Sequence, residues 1–300
     1  MNRKLCHFIE AALVKLLFCF FKIIPITASS SISGFIARSL GPHLKVNKVA
    51  RNNIALALPD LSEKEINNII LRMWDNLGRV VGEFPHMAGF KGINYNKIVT
   101  IEGGEVIEEI IRSNKTTIFF SAHFANWEIA PKTVYEAGCV NTNLVYRKSN
   151  NPYIDKLILD VRSNYQKGCM PKGPVGARYI IKAIKNGEHI GMLVDQKQND
   201  GIAVPFFGKD AMTASAIANL ALKFNCQLVP TEVIRVKGPK FKVKIYDPII
   251  LEKTGDQEKD IYNTMVKINS ILEGWIRKNP EQWFWVHNRW PKHTDTNKTG

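Results

Sequence analysis

Along this 300-residue chain the spacing of hydrophobic positions changes near residue 100. Before that point the recurrence is helical, from Lys48 to Leu58 and from Ser62 to Met87. Ser62 followed by Glu65 has the spacing of a capping box, in which each residue satisfies the other's free backbone N–H. Beyond residue 100 come short β-rich apolar runs: Thr116 to Ala122, Leu144 to Tyr146, His189 to Asp195 and Leu228 to Val236. Lys240 to Tyr246 alternates apolar with polar, as an edge or antiparallel strand does. Helical spacing fills the gaps, at Glu128 to Ala137, Tyr153 to Gln166, Val175 to Asn186 and Thr213 to Phe224, with a last helix from Asp260 to Lys278. Strands alternating with helices predict an α/β fold, a mixed central sheet flanked by helices.

The segment from Leu5 to Ile26 is rich in Leu, Phe, Ile and Ala, interrupted by His7, Glu10, Lys15 and Lys22. At helical spacing those four fall within about 140° of one face. The other face is apolar, which predicts an amphipathic helix lying in or sunk into a membrane surface rather than a clean span. A cleaved signal peptide fits poorly, because charges break the apolar region. Three parts are expected: an anchoring helix over 1–26, a main domain over 27–292 and a polar tail over 293–300.

Charge sharpens that reading. The formal net charge is +14. Before residue 60, Arg3, Lys4, Lys15, Lys22, Arg38, Lys45, Lys48 and Arg51 face only Glu10 and Asp60. Such an excess attracts something acidic, and its concentration at the N-terminus favours a membrane surface. No RNP-like, zinc-finger or helix-turn-helix pattern supports nucleic acid. The five cysteines form no CxxC pair, so neither a zinc site nor a disulfide framework is expected and a reducing compartment fits.

His123 closes the run TTIFFSA, and Glu128 opens the next helix five residues later. On a continuous helix that spacing puts the two side chains on different faces, so they meet only if the chain turns between them. A strand end followed by a helix start supplies the turn, at the mouth of the sheet. A histidine beside a carboxylate can act as general base, the carboxylate fixing its tautomer. The spacing alone is weak, since seven histidines give about 0.6 matches by chance; its position directly after an apolar strand gives it weight. There is no G-x-S-x-G elbow, which argues against a serine hydrolase.

His123-Phe124-Ala125-Asn126-Trp127-Glu128 resembles the HFxNWE signature of the bacterial lipid A late acyltransferases, the lauroyl/myristoyl transferase family within the wider HX4D/E glycerolipid acyltransferases. Further matches follow in the family's order: Tyr146-Arg147, Asn151-Pro152, Asp195-Gln196, Val204 to Gly208 with Thr213, Pro230, and Pro280 to Trp283 with Trp285. Lys197 departs from the pattern, standing where an acidic or small residue is expected.

The resemblance implies a glycerolipid-acyltransferase-like fold and transfer of an acyl chain from acyl-[acyl carrier protein] to a hydroxyl of a Kdo-bearing lipid IVA precursor, at the cytoplasmic side of a bacterial inner membrane. It implies no metal or cofactor. His123 would take the hydroxyl proton, Glu128 would hold His123, and Arg147 would bind phosphate or carrier or stabilise the oxyanion. Asp195 would orient His123 or an arginine, or cap the next turn. Asn126, Trp127, Gln196, Phe207, Gly208 and Thr213 are substrate-binding candidates. Phe206 and Phe207 also fit a core, Gly208 a turn, Thr213 a helix N-cap, and Trp283, Trp285 and Trp290 a packed cluster. Trp127 is expected to be buried. Another lipid acceptor, or a basic membrane-surface protein without catalysis, would carry the same composition.

Overall fold

The structure is a computed structural model that describes residues 3–290. The expected polar tail lies outside them.

Four helices form an N-terminal layer: α1 (Arg3–Ile23), α2 (Ile26–Leu40), α3 (Asn47–Ala57) and α4 (Glu63–Glu83). The capping box at Ser62 and Glu65 is formed and starts α4. Helix α2 grows from the small-residue stretch after Pro25, where no helix was expected. Its Ser29, Ser30, Ser33 and Gly34 are buried against α4, which presents Gly78 and Gly82. A Cβ on Gly78 would lie 2.3 Å from the Ser33 carbonyl oxygen, so the two backbones approach as closely as they do because both faces are small.

Beyond α5 (Gly92–Asn96) the α/β body contains β1 (Val99–Glu102), α6 (Gly104–Ser113), β2 (Thr117–Ser121), α7 (Ile129–Glu136) and β3 (Thr142–Tyr146). It continues through α8 (Pro152–Arg162), β4 (Gly168–Pro171), α9 (Pro174–Lys185) and β5 (His189–Leu193). The hairpin β6 (Lys197–Phe206) and β7 (Lys209–Thr213) follows, then α10 (Ala216–Phe224), β8 (Gln227–Lys237), β9 (Lys240–Ile245) and α11 (Gln257–Lys278). The main sheet runs β1-β9-β8-β2-β5-β3-β4. Strands β8, β2, β5, β3 and β4 are mutually parallel; β9 is antiparallel to β8, and β1 parallel to β9. This is the mixed, helix-flanked sheet that the periodicity predicts. Strand β2 is buried at all five positions, as the middle of a doubly covered sheet requires.

Two expectations are corrected. Thr213 ends β7 rather than capping α10, whose cap position is Ser215; the Thr213 hydroxyl instead accepts from Arg289 Nη2 at 2.8 Å. Trp127 is only partly buried, lying beside His123. Phe206, Phe207, Trp283, Trp285 and Trp290 do pack as core, ring against ring. Phe207 and Gly208, both at positive φ, form the turn between β6 and β7.

The N-terminal layer leaves an apolar surface. Leu13, Leu16, Leu17 and Phe20 of α1, with Phe35 and Ile36 of α2, are exposed. Helix α1 is nevertheless docked: Phe21 is buried, Phe8 packs edge-on to Tyr153, and Asn151 Nδ2 donates to His7 O at 2.8 Å and to Glu10 Oε2 at 3.0 Å. No described helix is long and apolar enough to cross a membrane.

Candidate active site

The parallel strands aim their C-terminal ends at one place. His123 follows β2, Arg147 follows β3, Lys172 follows β4 and Gln196 follows β5, and all four line one cavity of 270 Å³. Its remaining wall is largely apolar, from Phe119, Phe120, Val134, Leu144 and Met192. Such a mouth is where α/β sheets gather polar groups without interrupting their strands.

The turn after β2 is held from several sides. Ala125 sits at φ 49, left-handed for a residue with a Cβ. Its N–H donates to Gln282 O at 2.8 Å, and its carbonyl accepts from Asn76 Nδ2 at 3.1 Å. Phe124 bridges to Trp283. Asn126, fully buried, donates to Glu83 Oε2 at 2.8 Å and accepts the Glu128 N–H at 3.2 Å. Glu83 in turn is paired with Arg235. A strained turn persists where its surroundings over-determine it, and this turn delivers His123 on one side and Glu128 on the other.

The carboxylate on His123 is Asp195. Its Oδ1 lies 2.8 Å from His123 Nδ1, while Oδ2 accepts the His123 backbone N–H at 2.9 Å and Trp283 Nε1–H at 2.8 Å. Burial opposes ionisation of Asp195, but the attraction of His123 and these donors outweigh it and hold the carboxyl well below its usual range. An ionised carboxylate can only accept, so Nδ1 carries the proton and the Nε2 lone pair is left to face the cavity. Gln196 Nε2 is 3.5 Å from that atom. The ring packs against Trp127 and Phe284, with centroids 5.2 and 6.0 Å away.

Glu128 stands differently from its expected place. Its oxygens take a bidentate pair from Arg162, 2.5 Å from Nη2 and 3.0 Å from Nε, plus the Tyr165 hydroxyl at 2.8 Å. Burial again pushes its pKa up, and the Arg162 charge more than reverses this. Tyr165, buried and next to that carboxylate, is raised well above its usual range. The hydrogen bond that fixes the histidine tautomer therefore comes from Asp195, 72 residues away, while Glu128 anchors Arg162 in the cavity wall.

Of the other expected residues, Arg147 is exposed at the cavity and Trp127 and Gln196 line it; Asn126 acts behind it. Phe207, Gly208 and Thr213 are not among the lining residues. Two lining cations went unread in the sequence. Lys172 follows a strand too short, Gly168–Pro171, to announce itself. Though its surface is exposed, partial desolvation by its neighbours lowers its ammonium's pKa, with Asp195 opposing and Arg147 adding to the shift. Arg162 ends a helix, where a basic residue ordinarily reads as complementing the helix dipole.

The sequence profile of the family described as bacterial lipid A biosynthesis acyltransferase matches residues 2–292. Among curated relatives, a lipid A biosynthesis acyltransferase of Haemophilus influenzae is 24% identical over 263 residues, covering 84% of this chain and 81% of its own length. The lipid A biosynthesis lauroyltransferase of Escherichia coli is 24% identical over 247 residues, covering 81% and 78%. The lipid A biosynthesis myristoyltransferase of the same organism is 22% identical over 238 residues, covering 78% and 72%.

Proposed function

Because the chain belongs to the bacterial lipid A biosynthesis acyltransferase family, we propose that it moves an acyl chain from an acyl-[acyl carrier protein] thioester to a hydroxyl of a Kdo-bearing lipid IVA-type precursor. The observation that carries this reading is His123, its Nδ1 bound to Asp195 and its ring lining the cavity.

In this mechanism His123 Nε2 takes the acceptor hydroxyl's proton as that oxygen attacks the thioester carbonyl. Asp195 keeps the base in the correct tautomer and stabilises the imidazolium that forms. The oxyanion of the tetrahedral intermediate is met by the cations at the cavity, Arg147 and Lys172, whose charge opposes the negative charge that develops there. Collapse expels the carrier thiolate, which receives the proton from His123. Arg162, neutralised by Glu128, holds the wall in shape.

The test incubates the purified full chain with labelled acyl carrier protein thioesters and a panel of lipid acceptors, with products read by mass. Transfer to a phosphorylated 3-hydroxyacyl glucosamine lipid is expected. Preference for a lysophospholipid would move the chain to another acceptor class, and no thioester consumption would sink the reading.

The same reading places the protein on the cytoplasmic side of the inner membrane, resting on the apolar surface of α1 and α2 with their basic residues toward anionic headgroups. Leu16→Glu with Phe20→Glu, both at exposed positions, is expected to move the protein from anionic vesicles into the supernatant with its melting temperature unchanged. Undiminished pelleting would place the contact elsewhere.

A further inference from the structure

Helix α9 is set apart by its charge. It carries Arg178, Lys182 and Lys185 and no acidic residue. Every other described helix of the α/β body with more than one cation also carries acids. All three side chains are exposed, and among the described residues none has a carboxylate partner. Val175 and Tyr179, 60% and 56% exposed, share their face. At helical spacing the five positions fall within about 120°, while Gly176, Ile180, Ala183 and Ile184 are buried behind them. The outer face of α9 is therefore an apolar centre bordered by unpaired cations.

That face begins at the cavity. The chain leaves β4 through Lys172, whose N–H donates to Tyr146 O at 2.9 Å, so Lys172 emerges beside Arg147 and Lys148. Pro174 then opens α9. A Cβ on Gly176 would lie 1.5 Å from Pro171 O, so the first turn of the helix is pressed against the end of β4. Exposed positive charge thus continues from Arg147, Lys148 and Lys172 at the cavity mouth onto Arg178 and then Lys182 and Lys185.

Two acidic partners could use such a face, a membrane surface or a protein, and the topology separates them. From β3 through α8 to β4 the chain steps outward along the sheet; from β4 through α9 to β5 it steps back. Right-handed crossovers in opposite directions put α8 and α9 on opposite faces of the sheet. The cavities agree: residues of α7 and α8 line the first, and residues of α9 and α10 line a second. Helix α1, with its exposed apolar residues, docks on the α8 side through Phe8 against Tyr153 and through Asn151. A lipid surface resting on α1 and α2 is thereby separated from α9 by the sheet, and the outer face of α9 is left for a soluble partner.

We propose that the outer face of α9, with Arg147, Lys148 and Lys172 at its head, docks the acidic carrier protein that presents the acyl thioester. This rests on the acyl-transfer reading above and adds where its donor sits. Charge complementarity of this kind steers encounter and fixes orientation, and the docked carrier would hold its thioester at the mouth from which His123 is reached.

The test reverses the charge of the face in the full chain, as Arg178→Glu, Lys182→Glu and Lys185→Glu together. None of these residues lines either cavity. A control reverses three exposed lysines at the opposite edge of the sheet, Lys97, Lys237 and Lys240, with the same change in net charge. Turnover is followed with myristoyl acyl carrier protein and with myristoyl pantetheine, which carries the same thioester without the protein. Melting temperature and pelleting with anionic vesicles are measured beside it. For the α9 variant, KM for the carrier thioester is expected to rise by about tenfold or more, the difference narrowing at high ionic strength. Turnover of the pantetheine thioester, vesicle pelleting and melting temperature should stay near those of the parent, and the control should raise the carrier KM less than about twofold. An unchanged carrier KM, equal losses with both donors, an equal rise in the control, or loss of pelleting in the α9 variant would each overturn the proposal. If the unsubstituted chain consumes neither thioester, the functional reading itself falls, and the docking assignment with it.

Discussion

Two buried carboxylates stand at the mouth of the sheet, and they do opposite things. Asp195 sits under a titratable ring and two N–H donors, and its charge is directed at the one atom pair that sets the state of His123. Glu128 sits under a guanidinium and a phenol, and its charge is consumed by a permanent cation. Proximity in sequence favours Glu128 as the partner of His123, but the turn at Ala125 sends the two side chains to different neighbours. A carboxylate's role is set by what it faces after folding, and five residues of separation leave that undetermined.

The contrast can be broken from either side, and the largest effect belongs to the histidine. His123→Ala is expected to lower the acyl-transfer rate by about 10² or more, the scale of a lost general base, with circular dichroism and melting temperature near those of the parent. Asp195→Asn should follow it closely, by about 10² or more in kcat, since an amide can donate to Nδ1 and favour the wrong tautomer. Near-normal turnover in a folded Asp195→Asn chain would end its assignment as the positioning residue.

Glu128→Gln should act first on stability. It leaves the Arg162 guanidinium buried without its counter-charge, a loss of about 3–5 kcal/mol for a buried pair, read as a lower denaturant midpoint. Arg162→Met combined with Glu128→Gln should recover much of that, because the double change removes both charges. If Glu128→Gln keeps its denaturant midpoint and loses only rate, then Glu128 belongs with Asp195 after all.

Acid separates the groups more gently. His86, His189 and His287 have pKa values lowered by burial, so they stay neutral in the fold but take protons in the unfolded chain. Their contribution is complete above about pH 6.5 and is lost as pH falls through the lowered values. Asp195 and Glu128, also lowered, contribute fully above about pH 4 to 4.5, and that part is lost only on further acidification. Melting temperature is therefore expected to fall in two stages from pH 8 to pH 3. His287→Gln should flatten the first stage; a curve flat down to pH 5 would contradict the histidine assignments.

Much of this was legible in the chain, for reasons that differ by element. Strands β2, β5 and β8 are apolar runs in the middle of a covered sheet, and helices α4, α7, α9 and α11 show their periods. Strands β1 and β4 have four residues each, too few to carry a period. Strand β6 begins Lys-Gln-Asn-Asp-Gly, polar because it lies in a separate two-stranded sheet with much of that stretch in solvent. Lys197, the departure from the family pattern, opens that strand. At the site, His123 and Asp195 could be found as polar residues at the ends of apolar strands. Lys172 could not, because its strand was invisible; nor could the pairing of Glu128 with Arg162, because nothing local joins positions 34 apart.

Residues 280–290 supply Gln282 to the Ala125 turn, Trp283 to Asp195, Phe284 to the His123 carbonyl and Arg289 to Thr213. All the cavity-lining residues precede them in the chain. As the protein emerges from a ribosome, its base and carboxylates are therefore made before the segment that buttresses them. A nascent chain stopped short of Trp283 would contain every residue that touches the cavity, yet neither the indole N–H that steadies Asp195 nor the backbone N–H that holds the His123 carbonyl.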